Sequence, residues 1–331
     1  MTIRVAVVGL GWMGRDHARV LAAHPEVELV AVVDRDPDRA ARVAADTGAR
    51  PTADVSPLLT ELDAVSVCTP DAAHEALVVA ALDAGARVLV EKPMATSVAA
   101  AKRMLTATGG DDARLTVGHL LQHDARVVRA RAAIQDGALG RVWHARVRRH
   151  ASRAVASHVA GTSTVGWFGT IHDAELLLSV MPADAVEVRA AGRRNLVSPG
   201  WDVIDAAVEF ADGSYGTLHE SWTLAPTRPN RSDSGFTIVA EHGSIDVDLG
   251  HGQVLVAGLD GANAPDVMHY PSAELADASD LQTELHTWIR TVRTGRQHGV
   301  GGRRAARAVA LVAAVHDSLE TGRPHRPATI P

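Results

Sequence analysis

Two short clusters in this chain carry residue types that could do chemistry. The first is Gly9-Leu10-Gly11-Trp12-Met13-Gly14, followed twenty residues after Gly14 by Asp34. Glycines at that spacing let the backbone turn tightly and bring its amides against a pyrophosphate, whose charge is favoured at the start of the helix that follows. Asp34 is placed to accept hydrogen bonds from ribose hydroxyls and to repel a 2′-phosphate, which favours NAD. Arg35 and Arg39 are the opposing signal, because a guanidinium beside Asp34 could hold that phosphate and admit NADP. The second cluster is Glu91-Lys92-Pro93, at the end of the apolar run Ala86-Arg87-Val88-Leu89-Val90. It follows the glycine loop by about one dinucleotide-binding half-domain. A lysine there emerges at the carboxyl edge of a parallel sheet, where open α/β sheets bind their ligands, so Lys92 is a candidate catalytic group.

These groups need a scaffold, and the apolar patterning supplies one. Residues 3–8, 29–33, 65–68, 88–90 and 115–117 are short, β-branched apolar runs of the kind that form buried parallel strands. Helical patterns lie between them, at 17–23, 37–47, 74–84 and 97–106. Strands alternating with helices imply βαβ units with right-handed crossovers, a doubly wound Rossmann sheet over residues 1–120. The rest, 121–331, reads differently. Alternation with period two at 141–149, 185–190, 205–210, 214–221 and 236–239, with the turn pair Asp212-Gly213, implies an open, mainly antiparallel sheet in an α+β domain. Helices are expected at 125–136, 172–180, 281–293 and 304–319, the last two able to pack back on the first domain.

The bulk properties narrow the function classes. A net charge of −6 gives no electrostatic reason to expect nucleic acid or an anionic membrane as partner. The single Cys68 forms no intrachain disulfide and, inside an apolar run, reads as a buried inert thiol. No apolar stretch approaches the length of a membrane span, and the chain enters a strand at once, so a cytoplasmic protein is expected. No metal centre is expected.

Several motifs together resemble the glucose–fructose oxidoreductase / inositol dehydrogenase (Gfo/Idh/MocA) family. They are the loop Val8–Gly14, Val67-Cys68-Thr69-Pro70 with His74 beyond, Val88-Leu89-Val90-Glu91-Lys92-Pro93, Gly118-His119-Leu120-Leu121-Gln122-His123-Asp124, and Ile171-His172-Asp173-Ala174-Glu175-Leu176-Leu177. The resemblance implies oxidation of a secondary alcohol of a sugar, cyclitol or related polyol with NAD(P), or the reverse reduction. It places Trp12, Met13, Thr69, Pro70, His74 and Glu91 on the cofactor side. It sets Lys92 beside the nicotinamide, with a cis bond to Pro93, and makes His172 the general base. It also implies a homodimer or homotetramer.

Three positions depart from the family pattern, all on the substrate side. Phe168 stands where relatives carry an Asp four residues before the His, Gln122-His123 replaces an Arg and an aromatic, and Thr170 replaces a glycine. Glu175 or Asp173 could reach His172 in place of the missing carboxylate. Gln122, His123, Arg149, Trp167 and Asp173 are the substrate-side candidates, Trp167 as a stacking platform for a sugar ring. Arg149 belongs to a basic stretch with Arg146, Arg148, His150, Arg153 and His158, a lining for an anionic substrate group or a solvated face. Two other readings stand beside the dehydrogenase. One is redox-assisted elimination or epimerisation with recycled NAD; the other is a non-catalytic dinucleotide-binding regulator, which the retention of Lys92 and His172 argues against.

Overall fold

The apolar runs of the first 120 residues become a parallel sheet because their side chains are buried on both faces. In the computed structural model, which describes residues 2–159, 161–228, 232–250, 256–258, 261–263 and 279–331, six strands form it. They are β1 (Ile3–Val8), β2 (Val27–Val33), β3 (Arg50–Thr52), β4 (Ala64–Val67), β5 (Arg87–Glu91) and β6 (Leu115–Gly118). Their order is β3-β2-β1-β4-β5-β6, all parallel. The chain leaves β1 toward one edge and returns at β4 toward the other, so the switch point that opens a ligand crevice lies between β1 and β4. The crossovers carry α1 (Trp12–Ala23), α2 (Pro37–Thr47), α3 (His74–Asp83) and α4 (Val98–Ala107). Helix α1 starts directly after Gly11, earlier than the periodicity alone suggests. Asp36 caps α2 through Asp38 N and Arg39 N, and Ser97 caps α4 through Ala100 N.

This first unit is completed from far along the chain. It comprises Met1–Leu120 with Ala276–Ala306, and the second comprises Leu121–Leu275 with Arg307–Pro331. The returning segment includes α8 (Asp280–Thr294), which buries Leu281, Leu285, Trp288 and Ile289. Beyond it, Val300 O accepts from Val117 N at 2.9 Å, and the Gln297 amide donates to Leu115 O at 3.2 Å.

The second unit holds α5 (Ala125–Gln135), β7 (Val142–Ser152), α6 (Arg153–Val159), α7 (Ile171–Val180), β8 (Ala185–Arg194), β9 (Trp201–Phe210), β10 (Tyr215–Leu224), β11 (Ser232–Ala240) and β12 (Gly243–Asp248). A short pair, β13 (Val256–Gly258) with β14 (Gly261–Asn263), follows, and α9 (Gly302–Thr321) begins in the first unit and ends in the second. The six-stranded sheet runs β12-β11-β7-β10-β9-β8. It is antiparallel except at its centre, where β7 and β10 pair in parallel. One face buries Ala145, Val147, Ile204, Val208, Leu218, Trp222, Phe236 and Ile238. Against it lie α7, where Gly216 meets Leu177, and the end of α9, where Gly192 meets Leu319. The opposite face carries polar pairs, His219 with Asp205 at 2.7 Å and Thr237 with Asp246 at 2.8 Å, among half-buried Val203, Ala207 and Val239. Asp202 is fully buried yet carries its charge. Burial alone would raise its pKa, but donors from Ser198, Trp222 Nε1, Val197 N and Leu196 N hold it below the usual carboxylate value.

Among the described residues, no helix is long and apolar enough to cross a membrane. Cys68 differs from its expected place. It lies just past β4 and is partly exposed, with Sγ 3.5 Å from Ser66 Oγ.

Candidate functional site

The three glycines of the loop serve different ends. Gly9 has φ 86°, and a Cβ there would lie 2.7 Å from the Cys68 carbonyl oxygen. A Cβ on Gly14 would run into the Gly9 carbonyl oxygen. Both are therefore required by the packing of the chain itself. Gly11 is not: among the described residues, nothing lies within 4 Å of where its Cβ would stand. It is also the N-cap of α1, which has no side-chain cap and no acidic residue in its first turn. With no side chain capping that turn, its amides and the helix dipole suit a phosphate. Trp12 is exposed and Met13 half-buried behind it.

Asp34 stands just past β2. Its Oδ2 accepts from Leu10 N at 2.8 Å and its Oδ1 from Asp36 N at 2.9 Å, tying the carboxylate to the glycine loop. Burial opposes its charge, but these two amides and Arg39 outweigh it and hold the pKa below the usual value. Arg39 pairs with Asp34 at 3.3 Å and with Asp36 at 3.4 Å, so its guanidinium is already matched to carboxylates. Arg35 is exposed. The open face at Gly11 and a charged Asp34 fit a dinucleotide without a 2′-phosphate, which is NAD.

Lys92 follows β5 and is half-buried, and its bond to Pro93 is cis. His74 braces this corner, with Nδ1 2.9 Å from Pro93 O and Nε2 2.8 Å from Thr69 O. It thereby joins the Thr69-Pro70 turn to the backbone after Lys92. His119 stands nearby and is held neutral, its pKa lowered to about 3 by burial first and then by the Arg304 and Lys92 charges.

Beneath Lys92 lies a cluster that the sequence reading missed. Glu91 Oε2 accepts from Lys92 N at 3.1 Å, and Glu91 Oε1 lies 3.2 Å from His17 Nε2. His17 Nδ1 lies 2.8 Å from Ser66 Oγ. Glu284 of α8 completes the group, and His17, Glu91 and Glu284 each bring a ligand-type atom within 4.8 Å of the others. Burial, with Glu91 and Asp280 near it, pushes Glu284 well above the ordinary glutamate pKa, against the pull of His17. Burial works against a proton on His17, but Cys68 and Glu91 outweigh it and raise its pKa well above 6.5. The available signal was polar residues at core positions. Glu284 sits in the stripe Leu281, Leu285, Trp288, Ile289, and His17 follows Gly14 by one turn on the buried face of α1.

The second unit presents a π-helical turn, Gly166–Thr170, running into α7, with half-buried His172 in the first turn of α7. The carboxylates expected near His172 have other engagements. Asp173 accepts from Arg149 Nη2 at 2.7 Å and Nε at 3.1 Å. Glu175 accepts from the Gln122 amide, whose oxygen in turn accepts from Arg131. Gln122 is thus a buried relay to α7 rather than an exposed substrate contact. His123 ends the short helical turn Leu120–His123 and is half-buried. Trp167 stacks on His316 with centroids 5.4 Å apart, so one ring face is occupied by the protein. The basic stretch is split by the period of β7. Arg149 turns inward to Asp173, whereas Arg148 pairs with Asp233 at 3.1 Å and His150 lies 2.9 Å from Ser221 Oγ.

Both units are similar to known proteins. Residues 3–119 match GFO_IDH_MocA, described as an oxidoreductase family with an NAD-binding Rossmann fold, and residues 127–246 match the GFO/IDH/MocA C-terminal domain. Inositol 2-dehydrogenase of Acidothermus cellulolyticus is 31% identical over 90% of this chain and 87% of its own length. UDP-N-acetylglucosamine 3-dehydrogenase of Acidithiobacillus ferrooxidans is 28% identical over 94% of this chain and 96% of its own. Among solved structures, GenD2 from gentamicin A biosynthesis in complex with NAD has a TM-score of 0.84 at 26% identity, covering 99% of this chain and 97% of that one.

Two outcomes are expected. Gly11→Ala folds with an unchanged thermal midpoint but binds NAD at least about ten-fold more weakly by calorimetry, whereas Gly14→Ala loses folded stability itself. Equal stability losses in both variants would contradict the division of roles. The proton that folding retains on Glu284 is released on unfolding above the ordinary carboxylate range, so its contribution is lost as pH rises through the raised folded value. His17 acts in the same direction. The thermal midpoint therefore falls less in Glu284→Gln than in the wild type between about pH 5 and about pH 9; parallel profiles would show that Glu284 does not carry the proton.

Proposed function

We propose, for a chain that belongs to the GFO/IDH/MocA oxidoreductase family, that it moves a hydride between NAD and a secondary alcohol or ketone of a sugar, cyclitol or related polyol. The observation that carries this reading is Lys92 at the carboxyl end of β5, in the same unit as a glycine loop open at Gly11 and a charged Asp34. The names of the relatives, an inositol dehydrogenase and a UDP-N-acetylglucosamine dehydrogenase, support a ring hydroxyl as the reacting group.

In the direction of oxidation, bound NAD supplies the acceptor for the hydride that leaves the carbinol carbon. The residues of the chain handle the proton and the charge. Lys92 donates to the reacting oxygen and stabilises the negative charge that grows there. His172 takes the hydroxyl proton as general base. Asp34 and the first turn of α1 hold the dinucleotide, the carboxylate on the ribose and the amides on the pyrophosphate. Arg149 and Asp173 form a fixed ion pair beside His172 in sequence, a polar wall for substrate hydroxyls.

The chain acts as a homodimer or homotetramer in this reading. Support comes from the outer face of the second sheet, where Val203, Ala207 and Val239 lie among the polar pairs and no described element covers them. Multi-angle light scattering at micromolar concentration should return two or four times the mass of the chain, and a monomer mass would refute the assembly.

The central test is Lys92→Ala. Turnover across a panel of inositols and sugars falls by roughly a thousand-fold, while the NAD dissociation constant stays within about two-fold of the wild type. An active Lys92→Ala enzyme would overturn the mechanism. Product formed without net NADH would move the assignment to redox-assisted elimination or epimerisation.

A further inference from the structure

Position 168 is Phe, so the turn that leads into α7 brings no carboxylate toward His172 from four residues before it. A carboxylate reaches the same turn from the sheet instead. At one end of β10, Gly216 packs against the δ carbons of Leu177; four residues on, Glu220 packs against Gly169, eight residues back along the helical segment. Four strand residues rise about 13 Å and eight helical residues about 12 Å. The two contacts therefore describe one strand lying along one helix in the opposite direction.

Glu220 is 2% exposed and shares the inward face of β10 with Gly216, Leu218 and Trp222. Its Oε1 occupies the space that a Cβ on residue 169 would need, so this approach is open only because residue 169 is glycine. Gly169, in the π-helical turn, precedes His172 of α7 by three residues and Asp173 by four, so a group packed on Gly169 sits about one helical turn before both. Across the sheet, Glu220 pairs in register with Arg149, the residue that holds Asp173. We propose that Glu220 is the positioning carboxylate for His172, supplied by β10 in place of the aspartate missing at 168. This rests on His172 as the base of the proposed reaction. As His172 takes the hydroxyl proton on one ring nitrogen, the Glu220 carboxylate accepts from the other and stabilises the imidazolium. The pair of electrons of the broken C–H bond leaves with the hydride to NAD, so the alcohol carbon is oxidised and charge balances.

The carboxylates of α7 itself are already matched: Asp173 with Arg149 of β7, and Glu175 through Gln122 with Arg131 of α5. His219 of β10 is on the outer face, paired with Asp205. The imidazole of His172, assigned by the signal lost in His172→Gln, can be titrated by NMR in the enzyme without substrate. Its pKa should fall by about one unit or more in Glu220→Gln. The same fall is expected in Gly169→Ala, which keeps the charge but displaces it, so a poorly folding Glu220→Gln still leaves a test. With substrate, Glu220→Gln should lower kcat at least about ten-fold with little change in the NAD constant, and adding Phe168→Asp should restore most of the loss. A His172 titration unchanged in both single variants, or a kcat loss that Phe168→Asp does not relieve, overturns the assignment. A wild-type protein inactive on every polyol would instead count against the hydride-transfer reading, and the titration would still report on Glu220.

Discussion

A carboxylate that leaves water must bring its compensation with it, and the arrangement of both units follows from how this chain meets that demand. Glu91 and Glu284 share their pocket with His17, and the protons held on Glu284 and His17 make the burial of two acids tolerable. Asp202 is surrounded by donors from its own loop and from Trp222. Asp173 takes Arg149, and Glu175 takes Gln122. Lys92 depends on the first of these arrangements directly, since its amide hangs on Glu91 and its neighbour Pro93 on His74. Loosening the acid pocket would thus move the lysine without touching its side chain.

The first unit was legible because its rules are local. Apolar runs buried on both faces, glycine at fixed offsets and an acid at the end of the next strand each act within a few residues. The parallel junction of β7 with β10 could not be read, because period-two alternation looks the same in parallel and antiparallel neighbours. The same limit explains the basic stretch: adjacent arginines on a strand face opposite ways, so Arg148 and Arg149 never formed one surface. Pairings across long separations were equally hidden. Nothing near Glu91 announces that α8 returns to bury Glu284 against it, and nothing near Gln122 announces Glu175.

The departures from the family pattern gain a physical meaning from these pairings. Gln122 replaces a cation, and the charge is kept nearby by Arg131, which grips the Gln122 oxygen. The nucleotide side, by contrast, keeps every element that a dinucleotide needs.

The return of residues 276–306 to the first unit bears on how the protein is made. A ribosome must add the whole second sheet after β6 before α8 and Val300 are available to close over β6 and α1. Until then Val117 lacks its backbone partner, and the acid pocket lacks Glu284. The nucleotide domain is thus not a contiguous N-terminal piece that matures first; cutting the gene after residue 120 would yield a sheet with an unfinished edge. Holding back α8 and Val300 in this way couples completion of the cofactor-binding half to synthesis of the second sheet.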